Sequence, residues 1–370
     1  MFLLPFVSAL VAALVAALVA ALACAFLVRL GRESARRYGQ AMPQRFHAGD
    51  VPRMGGAAMM VACTAGWKAM VKLHPEAIDL LWPLWGASMV IAGAGLAEDV
   101  THRVAVRWRL GLTVLGASLA VLALDLRIGQ LGIEALRPLW VAAPWLGVAL
   151  AVLAVSGLPH AFNLIDGYNG LAGVVAVICS VVLATVAWRV GDAMVASTAM
   201  VVAGASLGFL VWNYPRGVLF AGDGGAYLWG AVLAILVVWL VQHQPEVSPW
   251  FAALLLAYPV FETLFSIYRK LVRGQSPGAA DALHLHQLIY RRLVRPVPLS
   301  AGQDEATRMR LRNNRTAPYL WALALASAVP AGLFWDNTPV LVAGCLLFAS
   351  AYVALYASLV RWRAPRWLRR

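Results

Sequence analysis

Apolar stretches about twenty residues long recur from one end of this chain to the other, and they fix what it can fold into. A helix needs about 20 apolar residues to cross the hydrocarbon core of a bilayer. In lipid, only helices and closed barrels satisfy their own backbone hydrogen bonds. Runs this long, without period-two alternation, read as helices. Eleven segments meet that ruler: 3–28, 55–72, 79–97, 108–125, 138–157, 169–188, 192–212, 225–242, 249–268, 317–335 and 338–360. The expected fold is all-α: a polytopic membrane protein forming a single integral domain over residues 1–370, with one long loop at 269–316. The chain is 13% charged, against roughly a quarter in a soluble domain.

The basic residues give the chain an orientation. The net charge of +13 could suggest nucleic acid, but Lys and Arg sit at the ends of the spans, where membrane topology places them. No nucleic-acid partner is expected, while anionic lipid headgroups and phosphorylated substrates are. Sorting the connections alternately to two faces gives 25 basic residues on one and 4 on the other. The positive-inside rule assigns the rich face to the cytoplasm, so the N-terminus is expected outside and the C-terminus inside. The first segment has no basic n-region and exceeds the roughly 7–15 apolar residues of a signal peptide, so it reads as a retained helix. Cys24, Cys63, Cys179 and Cys345 each stand alone in apolar surroundings, which argues against a disulfide or metal framework.

Four polar islands interrupt the apolar pattern, and all fall on the basic face. An ionisable group placed at membrane depth costs about 2.5–3.5 kcal/mol on insertion scales, so it reads as functional by default. Glu98-Asp99 ends the third span; adjacent carboxylates can hold a divalent cation or act as a base. Arg103, Arg107 and Arg109 follow, able to neutralise the pair or receive phosphate oxygens. Asn163, Asp166 and Asn169 recur every three residues, which on a helix gives them a common face. Gly222-Asp223-Gly224-Gly225 opens the eighth span, where free backbone N–H groups favour anions. Asp223 is placed there to ligate Mg²⁺, which takes one or two protein carboxylates plus substrate phosphates. His284-Leu-His286 lies in the long loop near Arg291 and Arg292, and contact with a diphosphate suits it better than zinc, for which no third ligand is evident. Glu262, deep in the ninth span, is a further candidate without an evident partner.

These residues resemble one family, the polyprenyl-phosphate N-acetylhexosamine-1-phosphate transferases, which includes the enzymes that start O-antigen synthesis and the peptidoglycan translocase. The matches run in order from His47 to Arg292: Val51-Pro-Arg-Met-Gly55-Gly56, the acid pair after Gly95-Leu96, Asn163-Leu-Ile-Asp166-Gly167 with Gly170-Leu171, Asn213 to Asp223, and His284-Leu-His286. The resemblance implies transfer of a sugar 1-phosphate from a UDP-N-acetylhexosamine to undecaprenyl phosphate, with release of UMP. It implies Mg²⁺, with Mn²⁺ as a substitute, and a bacterial inner-membrane enzyme of the polysaccharide-initiating branch; a homodimer is compatible with such a fold. Carried over residue by residue, Glu98, Asp99 and Asp166 are the catalytic candidates and Asp223 the metal ligand. His47, Asn163, Asn169, Asn213, His284, His286, Arg291 and Arg292 are the substrate-binding candidates. The chain departs from the pattern at Glu98, where the family usually has Asp, at Gln287, where a third histidine is usual, and at Gly224 and Ala226, which replace serines. The chief rival reading is a transporter or flippase of lipid-linked saccharides. Transporters place ionisable groups near the bilayer midplane and often carry internal repeats; here the acids cluster at one face.

Overall fold

The computed structural model describes residues 3–34, 51–276, 278, 283–299 and 302–361. Fourteen helices follow in chain order among them, with no strand: α1 (Leu3–Ser34), α2 (Gly55–Leu73), α3 (Ile78–Thr101), α4 (Val106–Ala123), α5 (Arg137–Ala142), α6 (Trp145–Ile165), α7 (Leu171–Arg189), α8 (Ala193–Asn213), α9 (Gly222–His243), α10 (Pro249–Leu255), α11 (Ala257–Val272), α12 (Leu285–Ile289), α13 (Glu305–Leu333) and α14 (Thr338–Val360). A single π turn, Tyr290–Val294, continues α12.

Each of the eleven apolar segments forms a helix, but the count of membrane-crossing helices needs correction. Among the described residues nine are long and apolar enough to span, and α10 with α11 makes a tenth if that pair is one span bent by 75°. Helix α2 is not among them; its Lys68 and Lys72 and its small residues lower its apolarity. The segment expected at 138–157 is also displaced. The short helix α5 takes its start, and α6 runs on to Ile165, so Asn163 stands on the last turn of a helix.

Small residues decide how the bundle closes. Between helices in lipid there is little hydrophobic driving force, so association relies on close packing. In α1, Ala12, Ala16, Ala20, Cys24 and Val28 recur every four residues and are buried. They face α2 and α8, where Gly66 and Gly208 leave no room for a side chain against the α1 backbone and alanines. On the opposite stripe Leu14, Leu18, Leu22 and Phe26 are exposed, as a lipid-facing surface should be. Helix α9 is buried along nearly its whole length, with α2, α3, α6 and α8 packed around it. Its first turn, which carries Asp223, is therefore enclosed on several sides by other helices.

Candidate active site

Asp223 is the centre of the site, and its surroundings begin with a helix end that cannot cap itself. The first N–H groups of any helix lack intrahelical partners. The residue before α9 is Ala221, which offers no side-chain cap. Gly222 has φ +72°, a left-handed conformation in which a side chain is disfavoured. The cap comes from another helix. Asp99 on α3 accepts from Asp223 N–H at 3.0 Å through Oδ1 and from Gly224 N–H at 2.8 Å through Oδ2. Its negative charge also complements the positive end of the helix dipole. The segment Pro52–Gly56 is stitched to the same entry by three backbone bonds, Phe220 N–H to Pro52 O at 2.9 Å, Gly55 N–H to Phe220 O at 2.9 Å and Gly56 N–H to Ala221 O at 2.8 Å.

Asp223 is thereby held with its carboxylate among cations and an amide. Oδ1 accepts from Asn163 Nδ2 at 2.8 Å and from Arg53 Nη2 at 3.3 Å, and Oδ2 pairs with Arg109. The Arg53 guanidinium also lies 3.6 Å from Asp99 and is 43% exposed, so it stands at the mouth, whereas the Asp99 side chain is fully buried. Asp166 joins the cluster from the turn after α6. Burial pushes its carboxyl up to about 7, opposed by the Arg53 guanidinium and reinforced by the charges of Asp223 and Asp99. Part of its surface is still accessible. Among the described residues nothing hydrogen-bonds to the Asp166 carboxylate, and three acids there face two arginines.

The acid pair of the sequence divides. Successive residues on a helix point about 100° apart. While Asp99 turns inward, Glu98 accepts from Val104 N–H at 2.8 Å. It thus closes the turn at His102 that leads into α4 and sets the approach of Arg109. The histidine motif arrives on the far side of Asp166: a Cβ built on Gly167 would lie 3.0 Å from His286 Nε2, and the His286 ring meets Tyr168 edge-on at 5.5 Å. Arg291 and Arg292 follow on the π turn, with Arg291 near enough to Tyr168 to act on it electrostatically.

Two candidates are tied to other parts of the chain, Asn213 through both ends of its amide and Asn169 through its NH₂ alone. Asn213 accepts from Gly170 N–H at 2.6 Å and donates to Leu219 O at 2.8 Å. The Asn169 side chain donates to Asn314 Oδ1 at 2.9 Å, and its N–H donates to Asn313 Oδ1 at 2.8 Å. These asparagines brace the loops around the site against α13 and one another. His47 lies outside the described residues. The spacing of Asn163, Asp166 and Asn169 did not signal a shared helical face, because α6 ends between the first and second.

Sequence reasoning passed over Arg53 and gave Arg109 no definite partner, though Arg53 precedes Gly55-Gly56 and Arg109 closes a run of three arginines. It also missed His160, which bonds Thr113 Oγ1 at 3.0 Å and Tyr227 Oη at 3.1 Å and so ties α4, α6 and α9 together beneath Arg109. A lone histidine inside an apolar span gives no such signal.

Comparison with known proteins agrees with this geometry. A model of glycosyl transferase family 4 matches residues 81–241, a stretch that includes Asp99, Arg109, Asn163, Asp166 and Asp223. A Bacillus subtilis protein named probable undecaprenyl-phosphate N-acetylglucosaminyl 1-phosphate transferase is 28% identical over 251 residues, 67% of this chain and 68% of that one. The Salmonella typhi undecaprenyl-phosphate alpha-N-acetylglucosaminyl 1-phosphate transferase is 25% identical over 260 residues, 66% of each chain. A Thermotoga maritima protein of the same name is 30% identical over 137 residues, 37% of this chain and 41% of that one. The motifs occur in family order, and the structure gathers most of them at one end of the helix bundle. The chain is thus similar to glycosyl transferase family 4 over residues 81–241, and over about two thirds of its length to proteins named undecaprenyl-phosphate N-acetylglucosaminyl 1-phosphate transferases.

Proposed function

We propose that this protein transfers a sugar 1-phosphate from a UDP-N-acetylhexosamine to undecaprenyl phosphate, releasing UMP and starting a lipid-linked surface polysaccharide. The observation that carries the reading is the cluster at the first turn of α9, where Asp223 is held between Arg109, Arg53 and Asn163 with Asp99 and Asp166 beside it. An acceptor anchored in lipid and a nucleotide from the cytosol must meet at the inner surface. The basic residues around this end of the bundle support a cytoplasmic orientation for the site.

A divalent cation fits this donor set. Three carboxylates outnumber two guanidiniums, and Asp166 has no hydrogen bond from the described residues. Among those residues no three His, Cys, Asp or Glu side chains form a metal-binding group. Mg²⁺ commonly needs only one or two carboxylates when a phosphate completes its shell. Asp223 and Asp166 would hold it, and when bound it would supply positive charge to the donor diphosphate. The remaining tasks fall to the chain itself. An oxygen of the lipid phosphate forms the new bond to the β-phosphorus, the bridging P–O bond breaks, and UMP leaves with the bridging oxygen. Arg53, half-exposed at the mouth, is placed to receive phosphate oxygens. Asn163 and Arg109 orient Asp223, and Asp99 fixes the helix end that carries it. Stabilising phosphate charge and aligning the reactants is the main task in such transfers.

The test is a donor panel. Purified protein with undecaprenyl phosphate and each of several UDP-N-acetylhexosamines should release UMP with at least one, only when the lipid is present. Failure with every donor, together with movement of a lipid-linked saccharide across proteoliposomes, would favour the transporter reading.

A further inference from the structure

Glu262 stands outside the carboxylate cluster, and nothing in the chemistry above uses it. It lies on α11 and is 1% exposed. Burying a carboxylate is costly unless donors surround it, and here three groups from two elements supply them. Leu285 N–H donates to Oε1 at 3.0 Å, His284 Nδ1 lies 3.2 Å from the same oxygen, and Tyr352 of α14 donates to Oε2 at 2.6 Å. The carboxylate thus takes one backbone donor and one ring nitrogen from the start of α12, and a hydroxyl from the last helix.

What these donors hold is the histidine motif. The rings of His284 and His286 stack with centroids 5.4 Å apart and planes 12° apart. His286 in turn lies over Gly167 beside Asp166. Gln287 closes the turn by accepting from His284 N–H at 3.3 Å, so the residue that departs from the family's third histidine secures the loop. A continuous line of contacts therefore runs from Tyr352 through Glu262, His284 and His286 to the Asp166 turn.

We propose that Glu262 is a positioning residue for the transfer reaction, acting through His284. Its carboxylate accepts a hydrogen bond from Nδ1 and so fixes the His284 ring, stacked on His286 beside the Asp166 turn. The inference rests on the transferase reading for its catalytic half. The physical logic is that of any histidine oriented by a carboxylate on its other nitrogen: the partner sets the tautomer and stabilises the ring as it meets negative charge. Tyr352 fixes the carboxylate, so the last helix contributes to the site without reaching it.

The experiment combines kinetics with a spectroscopic readout. Glu262→Gln preserves shape and an acceptor but removes the charge. His284→Asn keeps a donor toward Glu262 but removes Nε2. Glu262→Gln should lower kcat for UMP release about 10- to 100-fold, the usual cost of losing an orienting partner. Its thermal midpoint should stay within about 2 °C of wild type, roughly the effect of 1 kcal/mol. Because one residue acts through the other, the double variant should be no slower than His284→Asn alone, within about twofold. In protein labelled with ¹⁵N-histidine in lipid nanodiscs, the signal lost in His284→Asn should show the proton on Nδ1. Full activity in Glu262→Gln, or losses that multiply in the double variant, overturns the proposal. So does a neutral His284 with its proton on Nε2. A wild-type protein that releases no UMP from any donor overturns the transferase reading, and the tautomer still decides the Glu262–His284 contact by itself.

Discussion

Asp99 looks in sequence like half of a catalytic pair, but its geometry makes it the cap of α9, and Asp99→Asn separates the two roles. In the wild type the two carboxylate oxygens serve two different N–H groups, Asp223 at 3.0 Å and Gly224 at 2.8 Å. An amide has one oxygen and one NH₂, so one of these buried donors must face another donor. Leaving a buried N–H unsatisfied costs about 1–3 kcal/mol. Removing a charge from a helix N-terminus adds about 0.3–1 kcal/mol. The total is about 1–4 kcal/mol. At about 2 °C per kcal/mol for a chain of this size, the thermal midpoint of the solubilised protein should fall by about 3–8 °C. Asp223 loses its fixed position at the same time, so UMP release should drop with it. Glu98→Gln is the control: the amide oxygen can still accept from Val104 N–H, so the midpoint should move by less than about 1 °C and most activity should survive. Both properties are read on the same samples, by fluorescence-detected thermal unfolding and by a coupled UMP assay. A wild-type midpoint in Asp99→Asn would refute the capping argument. Equal inactivation by the two variants, with both midpoints unchanged, would restore the paired-acid reading.

Other outcomes follow from the same contacts. At Gly95 an added Cβ would sit 2.5 Å from the Asp223 carbonyl carbon, so Gly95→Ala must push α3 from α9. Overpacking of about 1–3 kcal/mol and a large activity loss are expected; normal UMP release would show that the helix entry is not tightly fixed. Asn213→Ala leaves Gly170 N–H and Leu219 O without their partner, which should destabilise by about 2–6 kcal/mol with little change in the donor KM of the folded fraction. A raised KM at an unchanged midpoint would instead make Asn213 a substrate ligand. Asp166 gives a pH dependence. Its carboxyl titrates near 7 in the fold and near 4 when unfolded, so the folded form binds the extra proton between those values. Its contribution to stability is complete below about pH 4 and is lost as pH rises through about 7. With a chelator present, the wild-type midpoint should fall from pH 5 to 8 more steeply than that of Asp166→Asn; parallel slopes would count against the shift.

The fold was legible in the sequence because lipid leaves so few choices. Length and apolarity located a helix in each of the eleven segments, and the four-residue spacing of Ala12, Ala16, Ala20 and Cys24 already marks a packing face. What the apolar pattern could not give was the break after Leu255 or the independent start of α6 at Trp145, since these depend on packing. The site was legible in part. Polar residues stand out against an apolar background, so Asp99, Asn163, Asp166 and Asp223 were visible, and so was the histidine motif. Their partners were less visible, because Arg53 and Arg109 lie among many arginines at span ends. The division of Glu98 from Asp99 depends on a 100° rotation that adjacency in sequence conceals. Asn213 shows the opposite case: polar, buried and near the site, yet spent on bracing loops. Glu262 drew notice as an acid at membrane depth, but its donors come from residues 22 and 90 positions away, which no local pattern reveals.

The central claim is that one carboxylate cluster, centred on Asp223, transfers a sugar 1-phosphate to a lipid phosphate. The most direct measurement follows UMP and lipid-linked sugar phosphate together, in wild type and Asp223→Asn, with UDP-N-acetylglucosamine or the best donor of the panel. Wild type should form the two products in equal amounts, only with undecaprenyl phosphate and a divalent cation present, while Asp223→Asn, folded by its thermal midpoint, should form neither at a comparable rate. Equal rates in the two proteins, or UMP formed without a lipid product, would contradict the claim.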